Sequence, residues 1–353
     1  MGRRAKVIAE TVEPPDGRAT LKSIAFMMGL GVTTVSRALK DAPEIGEETR
    51  RRVQLVARQV GYRPNRAGVR LRTGKTNVIS LVLDTEDDLT GFVSDIIYGI
   101  SDGIADTSYH LVVTPYSRRR DPMDPIRYVV ETESADGIII SRTTPNDPRV
   151  LYLMEHGFPF ATHGRTNIGA PHPFHDFDNE AYGRMAVEAL VAKGRRRLAL
   201  LPPPPALTYH RHTRKGFAEA LAGAGLQETS LGDLSIDDSI DTIRDRIAAV
   251  AGRSGAPDGY VCASGGAAFA LVAGLEAAGQ SLGREVDVVS KQSSKLLRWF
   301  RPGLQLFEED FRLAGRERAR AVMGAIAGKD ACELQTVAMP AAGRLSGRAS
   351  SFG

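Results

Sequence analysis

Between Thr20 and Leu71 the chain reads TLKSIAFMMGLGVTTVSRALKDAPEIGEETRRRVQLVARQVGYRPNRAGVRL, and no other stretch limits the fold so tightly. A first helix is expected from Leu21 to about Met28, with Thr20 as its N-cap. Leu21, Ile24, Ala25 and Met28 recur at i, i+3, i+4 and i+7, so they share one face. Gly29 should end this helix, because glycine tolerates a left-handed turn. A second helix, about Val32 to Leu39, turns Val35 and Leu39 inward and Val32, Thr33, Ser36 and Arg37 outward. A third, about Glu47 to Val60, buries Val53, Val56, Ala57 and Val60 and leaves Arg50, Arg51 and Arg52 outside. Pro64-Asn65 then opens a short segment with Leu71 near its end. Two short helices across a glycine turn, a third helix and a hinge make a helix-turn-helix headpiece.

The outward side chains of the second helix are suited to a DNA groove. Threonine offers a hydroxyl and a methyl, which fit a phosphate or a thymine edge; arginine can fork onto guanine or clamp phosphate. The charge distribution agrees. Residues 1–76 hold 16 Lys/Arg against 7 Asp/Glu, a balance of +9, while the remainder balances at −5. A basic first fifth on a mildly acidic body suits phosphate binding by one module. A solvated basic face is the bland alternative, and the ordered helical pattern around the charges argues against it.

Thr34-Val35-Ser36-Arg37-Ala38-Leu39, Thr49-Arg50 and Gly61-Tyr62-Arg63-Pro64-Asn65 together resemble the LacI/GalR family of bacterial transcription regulators. The resemblance implies that Val32 and Thr33 occupy the two specificity positions of the recognition helix and that Arg37 contacts bases or backbone. It also implies that the segment from Asn65 to Arg72 folds as a hinge helix on DNA, with Leu71 wedged into the minor groove. The DNA-contacting residues so implied are Thr20, Leu21, Val32, Thr33, Thr34, Ser36 and Arg37, then Asn65, Arg66, Leu71 and Arg72. Three positions depart from the family pattern. Gly31 and Gly46 replace N-cap serines, at a cost of only a few tenths of a kcal/mol. Gly68 replaces a hinge alanine, costing roughly 0.8–1.0 kcal/mol in a helix, so a hinge less ordered off DNA is expected.

From Asn77 onward short apolar runs alternate with amphipathic stretches. Val78–Leu83, His110–Thr114, Gly137–Ile140, Leu198–Leu201, Tyr260–Ala263 and Val286–Val289 read as buried parallel strands. Helix-length segments such as Phe92–Ala105 and Glu180–Ala192 lie between them. This alternation implies two doubly wound lobes, and it is similar to the periplasmic-binding-protein-like sensor that follows the headpiece in that family. The expected division is a flexible arm at 1–19, the headpiece at 20–63, hinge and linker at 64–76, the two-lobed sensor and dimerisation domain at 77–343, and a flexible tail at 344–353.

Ligands of such folds bind beyond the carboxyl ends of the strands, in the cleft between lobes. Following each strand to its end gives Asp84, Phe92, Tyr116, Ser117, Arg118, Ser141, Arg142, His163, Arg165, Tyr209, Arg211, Arg214, Ser264, Lys291, Gln292, Glu308 and Glu309. All but Asp84 and Glu308 are taken as effector-site candidates. Arginine, Gln/Glu and Phe/Tyr are the types a sugar needs, for its hydroxyls and its apolar ring face. Against the family's sugar site three acidic or amide groups are missing: Gly164, Ser264-Gly265 and Gln292 stand in their places. The effector is therefore either an unusual or larger sugar, or an anionic sugar phosphate or acid drawn by the arginines. The stretch HGRTNIGAPHPFHDFDNEAYGR resembles regulators of α-glucoside uptake.

Other features are read as structural. His172-x-x-His175 and His210-x-His212 lie in predicted loops without a convincing ligand set, so no metal is expected, nor any other cofactor. Pro202–Pro205 stiffens a loop, Trp299 packs a lobe, and Cys262 and Cys332 are buried fillers of a reduced, cytoplasmic protein. Ser264-Gly265-Gly266-Ala267 lacks phosphate-loop spacing. No run of 18 apolar residues and no apolar signal core occur, so no membrane contact is expected. Without a terminal leucine heptad the expected state is a homodimer. A periplasmic solute-binding protein would lack the headpiece, and an enzyme would need a nucleophile–base pair or dinucleotide fingerprint that is not evident.

Overall fold

The computed structural model describes residues 19–62, 70, 74–84, 92–117, 120–292 and 296–342. The terminal arm and tail, the hinge positions Asn65, Arg66, Gly68, Leu71 and Arg72, and Arg118 lie outside them. The chain forms two compact units, Met1–Thr76 and Asn77–Gly353.

In the first unit, α1 spans Leu21–Met28, α2 Val32–Ala38 and α3 Glu47–Gln59. Thr20 starts α1 through a reciprocal cap: its hydroxyl accepts from the Ser23 amide at 3.1 Å, and the Ser23 hydroxyl accepts from the Thr20 amide at 2.7 Å. Gly29 ends α1 at φ 64°, the left-handed conformation that lets the chain turn into α2. Gly31 and Gly46 stand at the N-caps of α2 and α3, where neither helix has a side-chain cap. Ile24, Ala25, Val35, Ala38, Val53 and Ala57 form the core, with Leu21, Met28, Leu39, Val56 and Val60 packed at its edge. The loop from α2 to α3 is pinned at Asp41, whose carboxylate accepts from Gln54 at 2.7 Å and whose carbonyl accepts from Arg50 at 3.0 Å.

The second unit holds two sheets. Its strands are β1 Val78–Asp84, β2 His110–Tyr116, β3 Gly137–Ile140, β4 Phe160–His163, β5 Phe174–Phe177, β6 Leu198–Leu201, β7 Gly259–Cys262, β8 Asp287–Gln292, β9 Gln305–Glu308, β10 Gln335–Ala338 and β11 Ala341–Ala342. Its helices are α4 Phe92–Ile104, α5 Asp124–Glu131, α6 Pro148–Glu155, α7 Asn179–Ala192, α8 Thr208–Gly223, α9 Ile240–Ala251, α10 Gly265–Ala277, α11 Leu296–Phe300 and α12 Phe311–Ile326. One sheet runs β10-β5-β4-β3-β1-β2, all parallel; the other runs β11-β9-β8-β7-β6, parallel except for β11. β3 (GIII) and β6 (LALL) are buried at every residue, which is why they read as unbroken apolar runs. The chain crosses between lobes after β5, after β9 and after β10.

Close helix approach positions α8, which borders the cleft. A Cβ built on Gly216 of α8 would lie 1.9 Å from the Glu180 carbonyl of α7, and one on Gly183 would lie 2.4 Å from the Thr213 carbonyl. Only glycine allows the two backbones to meet there. His210 and His212, expected to lie in a loop, are thus in the first two turns of α8. Thr208-Tyr209-His210-Arg211-His212 carries no apolar stripe, and the helix declares itself only at Thr213, Gly216 and Phe217, which are buried.

Two expectations for fillers fail. Trp299 is 82% exposed rather than packed, and Cys332 is exposed while Cys262 is buried. No helix among the described residues is long and apolar enough to cross a membrane.

Candidate functional site

The headpiece presents a polar face along α2. Val32, Thr33 and Arg37 are exposed, Thr34 and Ser36 half-buried, and Val35 and Ala38 point into the core. Thr20 is exposed at the start of α1, while Leu21 is half-buried against the core. Arg37 lies 3.5 Å from Glu44, with both side chains at least half exposed, so the pair gives way readily to a phosphate or a base.

In the sensor, the carboxyl ends of the strands face one cleft. Tyr116 ends β2 and Ser117 follows it; Ser141 and Arg142 follow β3; His163 ends β4. From the other lobe come Tyr209 and Arg211 on α8, Lys291 on β8, and Glu309 just after β9. Phe92 opens α4 and Gln292 ends β8. The deepest part is a buried charge cluster. The Lys291 ammonium reaches the Asn179 side-chain oxygen and lies 3.2 Å from Glu309. It also sits 4.7 Å from the Phe177 ring centre, 5.5 Å from Tyr182 and 5.4 Å from Tyr209, so aromatic faces replace most of its water. Burial alone would raise the Glu309 carboxyl, but Lys291 and His163 outweigh it and hold it at about 2.

His163 lies 3.6 Å from the other Glu309 oxygen, too far for a hydrogen bond. Burial, helped by nearby Arg318, lowers its pKa, so the imidazole is neutral at neutral pH. Behind it, His175 is pushed to about 3 by burial, then by His163 and Arg318, and shares a 2.8 Å contact with the Thr336 hydroxyl. Arg318 on α12 is fully buried, and burial lowers it to about 9. It donates to the Ala314 carbonyl at 3.0 Å and to Ser141 at 3.4 Å, and its Nη2 has no hydrogen-bond partner among the described residues.

Further out, the cations are matched to carboxylates. Arg142 makes a two-point pair with Asp237, and Arg165 donates to Asp176 at 2.5 Å. Arg142 adopts a left-handed backbone, φ 58°, and its carbonyl accepts from Arg149 at 3.0 Å. Arg149 is itself fastened to buried Asp147 by bonds of 3.0 and 2.7 Å. Burial works against the charge on Arg142, but Tyr209, Asp237 and Tyr116 raise its pKa overall. With the Asn167 amide oriented so that both its ends are satisfied, its oxygen accepts from Arg211 at 2.9 Å. The missing aspartate at Gly164 has a local cause. Gly164 sits at φ 103°, and a Cβ there would lie 2.7 Å from the Thr143 hydroxyl.

Two candidates have structural roles of their own. Arg214 bonds Glu228 at 2.6 Å, and Glu228 bridges Leu198 at the amino end of β6, away from the cleft. Ser264 caps α10, accepting from the Ala267 amide at 3.4 Å. Asn179 and Asp237 were missed, since a lone amide at a helix start and an aspartate in a polar loop carry no signal of their own. Among the described residues no group of three or more His, Cys, Asp or Glu is placed to hold a metal.

Residues 20–65 match the model for bacterial regulatory proteins of the lacI family, and residues 187–351 match a periplasmic binding protein-like domain. The HTH-type transcriptional regulator AglR of Rhizobium meliloti is 33% identical over 87% of this chain and 87% of its own length. The chain belongs to the LacI family. It is a DNA-binding transcriptional regulator and not an enzyme. RafR of Escherichia coli, another HTH-type transcriptional regulator, is 37% identical over 60% of this chain and 63% of its own. The family fold recurs in the crystal structure of the lac repressor dimer bound to operator and the anti-inducer ONPF. That chain aligns with a TM-score of 0.78 at 19% identity, over 93% of this chain and 98% of its own. The complex of the regulator CelR with cellobiose aligns with a TM-score of 0.65 at 24% identity, over 93% and 99%.

Proposed function

We propose that this chain is a cytoplasmic homodimeric repressor whose operator affinity is set by a neutral glucoside in the sensor cleft. The carrying observation is the state of the cleft cations. Arg142 is matched by Asp237, Arg165 by Asp176 and Lys291 by Glu309, so three of the cleft cations already have a counter-charge and do not demand an anion. What remains is a set of alternating donors and acceptors beside Tyr116 and Tyr209, the chemistry that hydroxyls and an apolar ring face require. The relationship to AglR and the cellobiose held by CelR support a sugar of this type.

On DNA, α2 of each protomer enters the major groove, where Val32, Thr33 and Arg37 meet base edges and Thr20, Thr34 and Ser36 meet the backbone. The hinge segments pair, with Leu71 at the central step. Effector binding changes the angle between the lobes and with it the spacing of the hinges. Operator and effector must then weaken each other by the same factor.

A second reading, an anionic effector, is favoured by Arg318, whose buried Nη2 lacks a partner among the described residues, and by Arg211, whose partner Asn167 is neutral. Thermal stability against neutral α-glucosides, other sugars, polyols and sugar phosphates separates the two. Ligand at a hundred times Kd stabilises by about 2.7 kcal/mol. A rise with neutral glucosides is expected; a rise with phosphorylated or acidic sugars alone would discard the neutral-glucoside reading.

A further inference from the structure

We propose that Arg142 and Asp237 form a gate across the mouth of the cleft that sets the length of effector accepted. The inference rests on the carbohydrate reading for its ligand but not for its mechanics. Arg142 belongs to the first lobe, just past β3; Asp237 belongs to the second, between α8 and α9. Their two contacts therefore tie lobe to lobe. Exposure rises from the floor to this pair. Arg318 is at 0% and the Lys291 and Glu309 side chains are at 7% and 11%, whereas Arg142 and Asp237 are at 27% and 22%. The pair thus stands where the cleft meets solvent.

Both partners are held in place before any ligand arrives. Arg142 keeps a left-handed backbone that is uncommon for a residue with a side chain, and the buried Arg149–Asp147 pair holds it through the Arg142 carbonyl. The Asp237 amide donates to the Ser235 hydroxyl at 3.2 Å, fixing its loop. A sugar that ends behind the pair leaves it closed. A longer sugar must part it, stranding a partly buried guanidinium and carboxylate without each other. Length discrimination follows from that penalty and needs no contact with the extra ring.

The test is the affinity of the full-length protein for glucose, maltose, maltotriose and maltotetraose, in wild type, Asp237→Ala and Asp237→Asn. In wild type a drop of about tenfold or more is expected at one step of the series, shrinking to less than about threefold in Asp237→Ala. If both variants weaken every sugar by one common factor, or leave the profile unchanged, the gate is overturned. If wild type binds none of these sugars, the carbohydrate reading fails, and the gate is judged without ligand. The Thr208 amide donates to the Thr143 carbonyl across the lobes at 2.9 Å, so its hydrogen exchange reports lobe opening. Exchange faster by about fivefold or more in Asp237→Ala supports the gate; an unchanged rate overturns it.

Discussion

Arg37 in the headpiece and Lys291 in the sensor are both cations beside a glutamate, and the resemblance ends there. Arg37 and Glu44 are 58% and 50% exposed at 3.5 Å, so water already solvates both charges. Lys291 and Glu309 are 7% and 11% exposed at 3.2 Å, with aromatic rings in place of water. An exposed pair contributes about 0–1 kcal/mol, whereas breaking a buried one costs about 3–5 kcal/mol. The first arrangement leaves a cation that can exchange its partner at little cost. The second holds a polar cleft in one geometry, so that a ligand meets ready donors and acceptors.

The largest test of that contrast is Lys291→Met, which keeps the volume and removes the charge. A loss of about 3 kcal/mol is expected, at the low end of the range because Arg318 remains electrostatically coupled to Glu309. Arg37→Ala should change stability by less than about 0.5 kcal/mol, weaken operator binding, and flatten its salt slope by about 1 where a phosphate contact is lost. Urea unfolding and operator titration read both. Equal stability losses in the two variants would break the comparison.

The next test uses protons. All seven histidines lie at residue 110 or beyond, so the first unit, Met1–Thr76, has none. His175 is depressed from 6.5 to about 3, which means the unfolded chain takes up a proton that the folded one refuses. Its contribution to stability is present above pH 6.5 and falls as pH drops below that value, by about 2 kcal/mol at pH 5. His163 adds to the fall in the same direction. Calorimetry at pH 7 and pH 5 should show the sensor transition moving down with the headpiece transition nearly still. His175→Gln should remove a large part of the shift; an unchanged shift would sink the assignment to His175.

Legibility in the sequence follows the same divide. The headpiece was readable because each part is local: Thr20 caps, Gly29 turns, and Ile24, Ala25, Val35 and Val53 repeat at helical spacing. β3 and β6 were readable because burial on both faces leaves nothing polar in them. β4 (FATH) and β5 (FHDF) mix polar side chains into strands, since they carry His163 and His175 to the cleft floor. The opening of α8 was hidden by five residues without an apolar stripe. Arg142, Arg165, Lys291 and Glu309 could be named from strand ends, but Asp237, Asp176 and Asn179, which hold the three cations, could not. Asp237 is 95 residues from Arg142, and Asn179 is 112 from Lys291. Only the tertiary fold selects those carboxylates and amides from the many on the surface.

The smallest expected effect concerns two glycines that look alike in the sequence. Gly216 is fixed by the backbone 1.9 Å from where its Cβ would lie. Gly31 has no such constraint: it sits at φ −70° and ψ 145°, ordinary values for any residue, and its nearest neighbour to a new Cβ is the Thr34 hydroxyl at an unstrained 3.6 Å. The α2 N-terminus also lacks a side-chain cap. Gly31→Ser should therefore supply an acceptor for a free amide of α2 and stabilise the headpiece by a few tenths of a kcal/mol. The sensor transition should not move. A headpiece melting temperature that falls would mean that Gly31 is held by something other than its cap geometry, and the ease of substitution claimed for the headpiece would fail at this position.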